Sequence, residues 1–289
     1  MTRVDAHHHV WDLAVRDQDW IDPVAMAAIH RDFTLADLRP AAVRAGVTTT
    51  VIVQTVAVAE ETPELLALAA ADGLAGGVVG WADLTDPAVA DRLAELRALP
   101  GGGSLAGIRH PVQAEPDPDW LTRPEVLRGL RAVAAAGLAF DLLTLPHQLP
   151  AAVRAVRAVP ELRFVLDHLS KPPIARGELR PWHEHLVALA GCGNVAAKLS
   201  GLVTEADWGA WSVADLRPYA EAALAAFGPG RLMFGSDWPV CTLAASYADV
   251  VAAAEELTAG LSGTERRAVF GDTARHWYRL PSRAAGDAR

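Results

Sequence analysis

Short apolar runs alternate with longer segments of helical period along the whole chain. Runs at 3–10, 48–56, 77–82, 105–112, 138–143, 163–167, 195–199 and 232–235 have the length and composition of buried strands. The segments between them read as helices over 35–45, 63–71, 87–99, 124–136, 150–159, 183–190, 213–227 and 247–256, with a terminal helix over 262–278. Local chemistry marks several of their ends. Gly46, Gly137 and Gly228 follow helical segments, where a left-handed residue closes the last turn. Pro63 and Pro87 sit at first helical positions behind the N-cap candidates Thr62 and Asp86. Strands alternating with helices predict a parallel sheet, and eight repeats predict a closed (β/α)8 barrel over an open doubly wound sheet. The segment 11–33, with Trp11, Trp20 and His30, is expected to lie over the barrel mouth, and the tail after 280 to fray.

In such a barrel the residues at the C-terminal ends of the strands converge on one site. Those ends offer Asp5, His7, His8 and His9; Gln54; Asp83; Arg109 and His110; Asp141, with His147 in the loop beyond; Asp167, His168 and Lys171; Lys198 and Ser200; and Ser236, Asp237 and Trp238. His7 and His9 stand two apart on a strand, so both face the same way, while His8 faces the helix layer. Two imidazoles on one face can grip a divalent metal or a substrate carboxylate, or can be satisfied core histidines. Asp237, after an apolar strand, is a candidate general base for a water. Arg109 and Lys198 each have a structural alternative as buried ion pairs, and Asp167 reads as a residue that orients a neighbour.

Length and composition narrow the partners. The 289 residues suit one barrel domain, and 51% hydrophobic content supplies its core. Lys and Arg total 26 against 35 Asp and Glu, a net charge of −9, which lacks the basic footprint of a nucleic-acid binder. No apolar run reaches the ~18 residues of a membrane span, and the N-terminus has no signal-peptide core. Cys192 and Cys241 are too few for a disulfide framework, so a cytoplasmic chain with free thiols is expected. A small molecule is the expected partner, and a homo-oligomer is compatible with the composition. No G-x-S-x-G and no Walker A motif is present, and the G-x-G-x-x-A at 101–106 runs from a helix into a strand, the wrong order for a nucleotide cofactor.

Five motifs occur in order: Val-Asp-Ala-His-His-His-Val-Trp-Asp at 4–12, Gly-Ile-Arg-His at 107–110, Asp-His-Leu-Ser-Lys-Pro at 167–172, Lys-Leu-Ser-Gly at 198–201 and Phe-Gly-Ser-Asp-Trp-Pro at 234–239. Together they resemble the amidohydrolase-related lactonases, a group that includes L-fuconolactonases, L-rhamnono-lactonases and 2-pyrone-4,6-dicarboxylate lactonases. The resemblance spans residues 3–280 and implies a distorted (β/α)8 barrel of the amidohydrolase type. Gly-Asp-Thr-Ala at 271–274 stands where such proteins tend to have Gly-Asn-Ala. A binuclear site of this superfamily uses a carboxylated Lys on strand four and a His on strand five, and neither is present here. The resemblance leaves two readings open: no ion, or one ion held by His7, His9 and Asp237 with His168 nearby, zinc being the metal that suits histidine ligands.

The reaction implied is opening of a sugar-acid or carboxylated lactone by water. Asp237 is the expected base, Arg109 with His7 and His9 the oxyanion partners, and His168 or protonated Asp237 the acid. Lys171 and Trp11 are expected to contact the substrate's outer groups. Two alternatives use the same pocket: a metal-dependent decarboxylase or hydratase of the superfamily, and a non-catalytic binding barrel.

Overall fold

The computed structural model describes residues 2–281, so the expected fraying beyond 280 lies almost wholly outside the described residues. Eight strands pair in chain order, each parallel to the next: β1 (Arg3–His8), β2 (Val47–Val53), β3 (Ala75–Gly80), β4 (Leu105–His110), β5 (Ala139–Leu142), β6 (Arg163–Leu166), β7 (Val195–Leu199) and β8 (Leu232–Phe234). The ends of the sheet meet. His8 bridges Trp238, the His9 amide donates to the Trp238 carbonyl at 2.7 Å, and the Asp237 amide donates to the His7 carbonyl at 2.8 Å. The result is the expected (β/α)8 barrel, and its seam is the place where the β1 histidines and Asp237 are hydrogen-bonded into one frame.

Eight main helices alternate with the strands: α1 (Leu35–Arg44), α2 (Glu61–Ala71), α3 (Val89–Ala98), α4 (Pro124–Ala135), α5 (Leu149–Ala158), α6 (Trp182–Ala190), α7 (Val213–Phe227) and α8 (Tyr247–Leu257). Thr34, Ser212 and Ser246 open α1, α7 and α8 with capping boxes, which satisfy amides that the first turn leaves free. Thr62 departs from its expected role as a cap. It lies inside the first turn of α2, and its hydroxyl accepts from the Trp81 amide at 2.8 Å and donates to the Trp81 carbonyl at 3.1 Å. Glu61 serves the loop instead, taking the Thr55 and Val56 amides at the end of β2.

Two hydrophobic layers result. The outer one joins strands to helices. The inner one is built of small residues, Val4, Ala6, Val51, Val79, Ala139 and Ala196 among them, and includes Trp277 and Tyr278. These two belong to the last of three pieces into which the expected terminal helix breaks: α9 (Gly263–Arg267), a π turn at Ala268–Asp272, and α10 (Thr273–Tyr278). The terminal segment lies against the N-terminal ends of the strands: Leu280 abuts Gly77 at the start of β3, and Arg279 abuts Gly137. It plugs the bottom of the barrel and leaves only the top open.

Candidate active site

Strand β1 does not keep a simple alternation. Its register against β2 shifts between Asp5 and His8, a bulge of the kind that re-aims side chains at barrel rims. Asp5 turns outward. Its carboxylate accepts from the Ser236 amide at 2.8 Å, the Ser236 hydroxyl at 2.6 Å and the Tyr247 hydroxyl at 3.1 Å. Burial lifts Asp5 to about 6 against the pull of these donors. This latch fixes the segment that carries Asp237. His8 faces the helix layer, bonded to Thr50 Oγ1 at 2.9 Å. His7 and His9 meet at the top of the barrel, with Nε2 atoms 3.1 Å apart.

Asp237 closes the group. Its Oδ1 lies 3.8 Å from His7 Nε2, 3.6 Å from His9 Nε2 and 3.8 Å from His168 Nε2. Each ring has a fixed outer partner: His7 Nδ1 meets Lys198 Nζ at 3.0 Å, His9 Nδ1 meets the Val53 carbonyl at 2.7 Å and His168 Nδ1 meets Ser200 Oγ at 2.9 Å. Burial, followed by the Lys198 charge, pushes His7 well below the usual imidazole value, and burial brings His168 to about 4. Burial also raises Asp237, but His168, His9 and Lys171 outweigh it, so the carboxyl stays below its ordinary value. At neutral pH the centre is therefore an anionic carboxylate beside neutral imidazoles at His7 and His168.

Non-glycine residues in the left-handed region cluster here. His168, Leu169, Ser170 and Lys171 all have φ between 50° and 60°, and Asp237 has φ 58°. Such a backbone costs about 1–2 kcal/mol per residue. It persists because neighbours hold it: Trp182 Nε1 donates to the Leu169 carbonyl at 2.7 Å, Ser170 Oγ lies 2.8 Å from Thr144 Oγ1, and Gly201 leaves room that a Cβ would close to 2.6 Å from His168 Nδ1. The strained turn holds His168 against Asp237 and brings Lys171 to the cavity wall.

Above the group is a cavity of about 1020 Å³ lined by His9, His168, Asp237, Arg109 and Lys171. Arg109 is buried. Its Nη1 pairs with Asp167 Oδ2 at 3.1 Å, and its Nη2 donates to the Gln54 carbonyl. Its carboxylate partner is thus Asp167, so the buried ion pair that was the structural alternative for Arg109 is formed while the residue also lines the cavity. Lys171 lies 3.8 Å from Glu205 Oε1. Trp11, expected at the substrate, is packed instead against Trp20 and Phe33 with its Nε1 donating to the Arg31 carbonyl; Trp20 and Trp208 are the tryptophans that line the cavity. His110 stacks on Trp120 at 4.2 Å and bonds Glu115, away from the centre. Glu205, on a short turn at Val203–Glu205, escaped the sequence reading. Its only signal was a position in the loop after β7.

The donor set fits a divalent ion. His7, His168 and Asp237 present ligand atoms within 4.8 Å of one another. Two nitrogens bound to one tetrahedral ion at about 2.0–2.1 Å would stand about 3.3 Å apart, close to the His7–His9 separation. His168 therefore belongs with the potential ligands as much as with the proton carriers.

The family model described as amidohydrolase matches residues 4–280, and the chain belongs to that family. The chain is 40% identical to an L-fucono-1,5-lactonase of Burkholderia ambifaria, over 99% of this chain and 98% of that one. It is also similar to two crystal structures of an amidohydrolase from Burkholderia multivorans, each with TM-score 0.91 over 97% of this chain and 100% of the other. One, with bound HEPES, is 38% identical and the other, with bound zinc, 39%. Among the described residues no helix is long and apolar enough to cross a membrane.

Proposed function

We propose that this protein is a lactonase that opens the ring of a sugar-acid lactone, and that the barrel spanning residues 3–280 acts as one domain. The observation that carries the reading is the carboxylate of Asp237, unprotonated and surrounded by imidazoles at the floor of the cavity at the barrel mouth. Asp237 takes a proton from a water molecule as that water attacks the lactone carbonyl. Arg109, on the cavity wall, faces the developing oxyanion, a donor of that type contributing a few kcal/mol. The protonated Asp237, beside the neutral His168, returns the proton to the departing ring oxygen, and the product is the open hydroxy acid. Zinc is the ion that suits these ligands, and the zinc-bound Burkholderia multivorans neighbour supports it. When bound, it would polarise the carbonyl and ease deprotonation of water.

The balance of charge on the cavity wall favours an uncharged ring. Each basic residue lining it already has a carboxylate: Arg16 pairs with Glu64 at 2.8 Å, Arg109 with Asp167 at 3.1 Å and Lys171 with Glu205 at 3.8 Å. Asp17, Asp19 and Glu60 add further negative charge. A substrate carboxylate would have to displace one of these partners, whereas sugar hydroxyls find acceptors as the wall stands. Trp20 and Trp208 offer partly exposed faces to the sugar ring. The free thiols of Cys192 and Cys241 support work in the cytoplasm.

The test is a pH-indicator assay over neutral 1,4- and 1,5-sugar lactones and dicarboxylate lactones, each with and without chelator. Turnover concentrated in the neutral sugar lactones is expected. Turnover of none of them, with sugar acids still raising the melting temperature, would leave a binding barrel; exclusive turnover of dicarboxylates would shift the substrate class.

A further inference from the structure

Lys198 stands inside the barrel on β7, fully buried and below the cavity wall. Its ammonium donates to Asp141 Oδ2 at 2.6 Å and to His7 Nδ1 at 3.0 Å, and forms an ion pair with Asp167 Oδ1 at 2.8 Å. Tyr278, from the plug, donates its hydroxyl to the same Asp141 at 2.7 Å. An ammonium nitrogen has donors only, so toward His7 it can only give, and His7 Nδ1 must accept. A proton on Nδ1 would face the lysine hydrogens head-on. Arg109 Nη1, which also can only give, lies 3.4 Å from His7 Nε2, the longer of the two contacts; the lone pair faces the closer Lys198, and His7 carries its single proton on Nε2, toward His9.

The same reasoning at His9 gives the opposite tautomer. Its Nδ1 meets the Val53 carbonyl, which can only accept, so Nδ1 holds the proton and Nε2 is the acceptor. The two Nε2 atoms face each other at 3.1 Å, one with a hydrogen and one with a lone pair. The run Lys198, His7, His9, Val53 is thus a line of donors pointing one way, complete without an ion.

We propose that Lys198 is a positioning residue that fixes His7 as an Nε2–H donor, and that this hydrogen bond opposes ligation of a divalent cation by His7. To offer a lone pair to an ion, His7 would have to carry its proton on Nδ1. There it would meet Lys198, with Asp167 Oδ1, 3.4 Å away, as the alternative acceptor. Removing the lysine donor frees His7 Nδ1 to donate to Asp167 and turns the Nε2 lone pair toward the ion. The inference concerns the tautomer and the metal affinity, and it holds or fails whether or not the substrate is a lactone.

The direct test is ¹⁵N NMR of histidine-labelled, chelator-treated wild-type protein, with His7 assigned by comparison with H7Q. A protonated Nε2 and an unprotonated Nδ1 are expected at His7, and the reverse tautomer or a doubly protonated ring would overturn the proposal. In parallel, zinc affinity is measured by competition with a chromophoric chelator. Lys198→Met, folded by circular dichroism, is expected to bind zinc about tenfold tighter than wild type, the size of effect that partners of ligating histidines exert. Equal or weaker binding by folded Lys198→Met would overturn the claim of opposition. If that variant does not fold, the wild-type spectrum decides.

Discussion

In the proposed reaction Asp237 is the base, and its surroundings make specific demands. Asp237→Asn keeps the shape but loses the base, so kcat for lactone opening should fall by about 10²–10⁴-fold with an unchanged melting curve; a variant that keeps most of its turnover would remove Asp237 from that role. The acid limb of the pH profile follows from the two groups that must stay unprotonated. Asp237 lies below its ordinary value of 3.8, and His168 at about 4. Both are in their working form above these values and lose it as pH falls through them. In the chelated enzyme kcat/KM should therefore be flat through the ordinary imidazole value of 6.5 and drop only near pH 4. A limb centred near 6.5 would place a different group in control. Sequence reasoning found Asp237, His7, His9, His168 and Arg109 because strand ends are readable from apolar runs. It put Trp20 over the barrel mouth but gave the substrate contact to Trp11, which packs behind it, and passed over Glu205, because which loop side chain turns toward a cavity depends on packing with residues distant in the chain.

At the scale of elements, the strained turn His168–Lys171 and the glycines beside it position the imidazoles. Gly201 has φ +66°, and a Cβ there would sit 2.6 Å from His168 Nδ1. Gly201→Ala should displace His168 and lower kcat/KM by at least about tenfold, since misplacement of a positioned group by around 1 Å costs up to about 10² in rate. It should also lower the unfolding midpoint; unchanged kinetics would mean that His168 needs no fixed position. Gly235 plays the same part under His7, where a Cβ would come within 2.8 Å of the His7 Cβ. Helix starts at Thr34, Ser212 and Ser246 were set by local capping chemistry, and they are the boundaries that short-range rules reach best. The β1 bulge, the left-handed turn and the π turn in the terminal segment were invisible to periodicity. Each is imposed by tertiary contacts against local preference.

For the whole molecule, the plug at the bottom and the latch at the seam make the barrel a one-ended container. Trp277 fills the inner layer from below and is almost fully buried. Trp277→Ala should cost about 3–5 kcal/mol by denaturant unfolding, as for other large aromatic truncations in a core; a loss below about 1 kcal/mol would show the plug to be dispensable. The sequence by itself determined the alternation of strands and helices, and with it the eight-fold repeat, the parallel order and the set of polar residues at the open end. Apolar period and turn chemistry are local properties that a linear reading can capture. Only the tertiary structure decided which groups face the nitrogens of His7, His9 and His168, which carboxylate pairs with Arg109, and that Lys198 stands beneath His7. Those outcomes depend on distances of a few ångströms between side chains contributed by different strands, and such distances exist only once the barrel has closed.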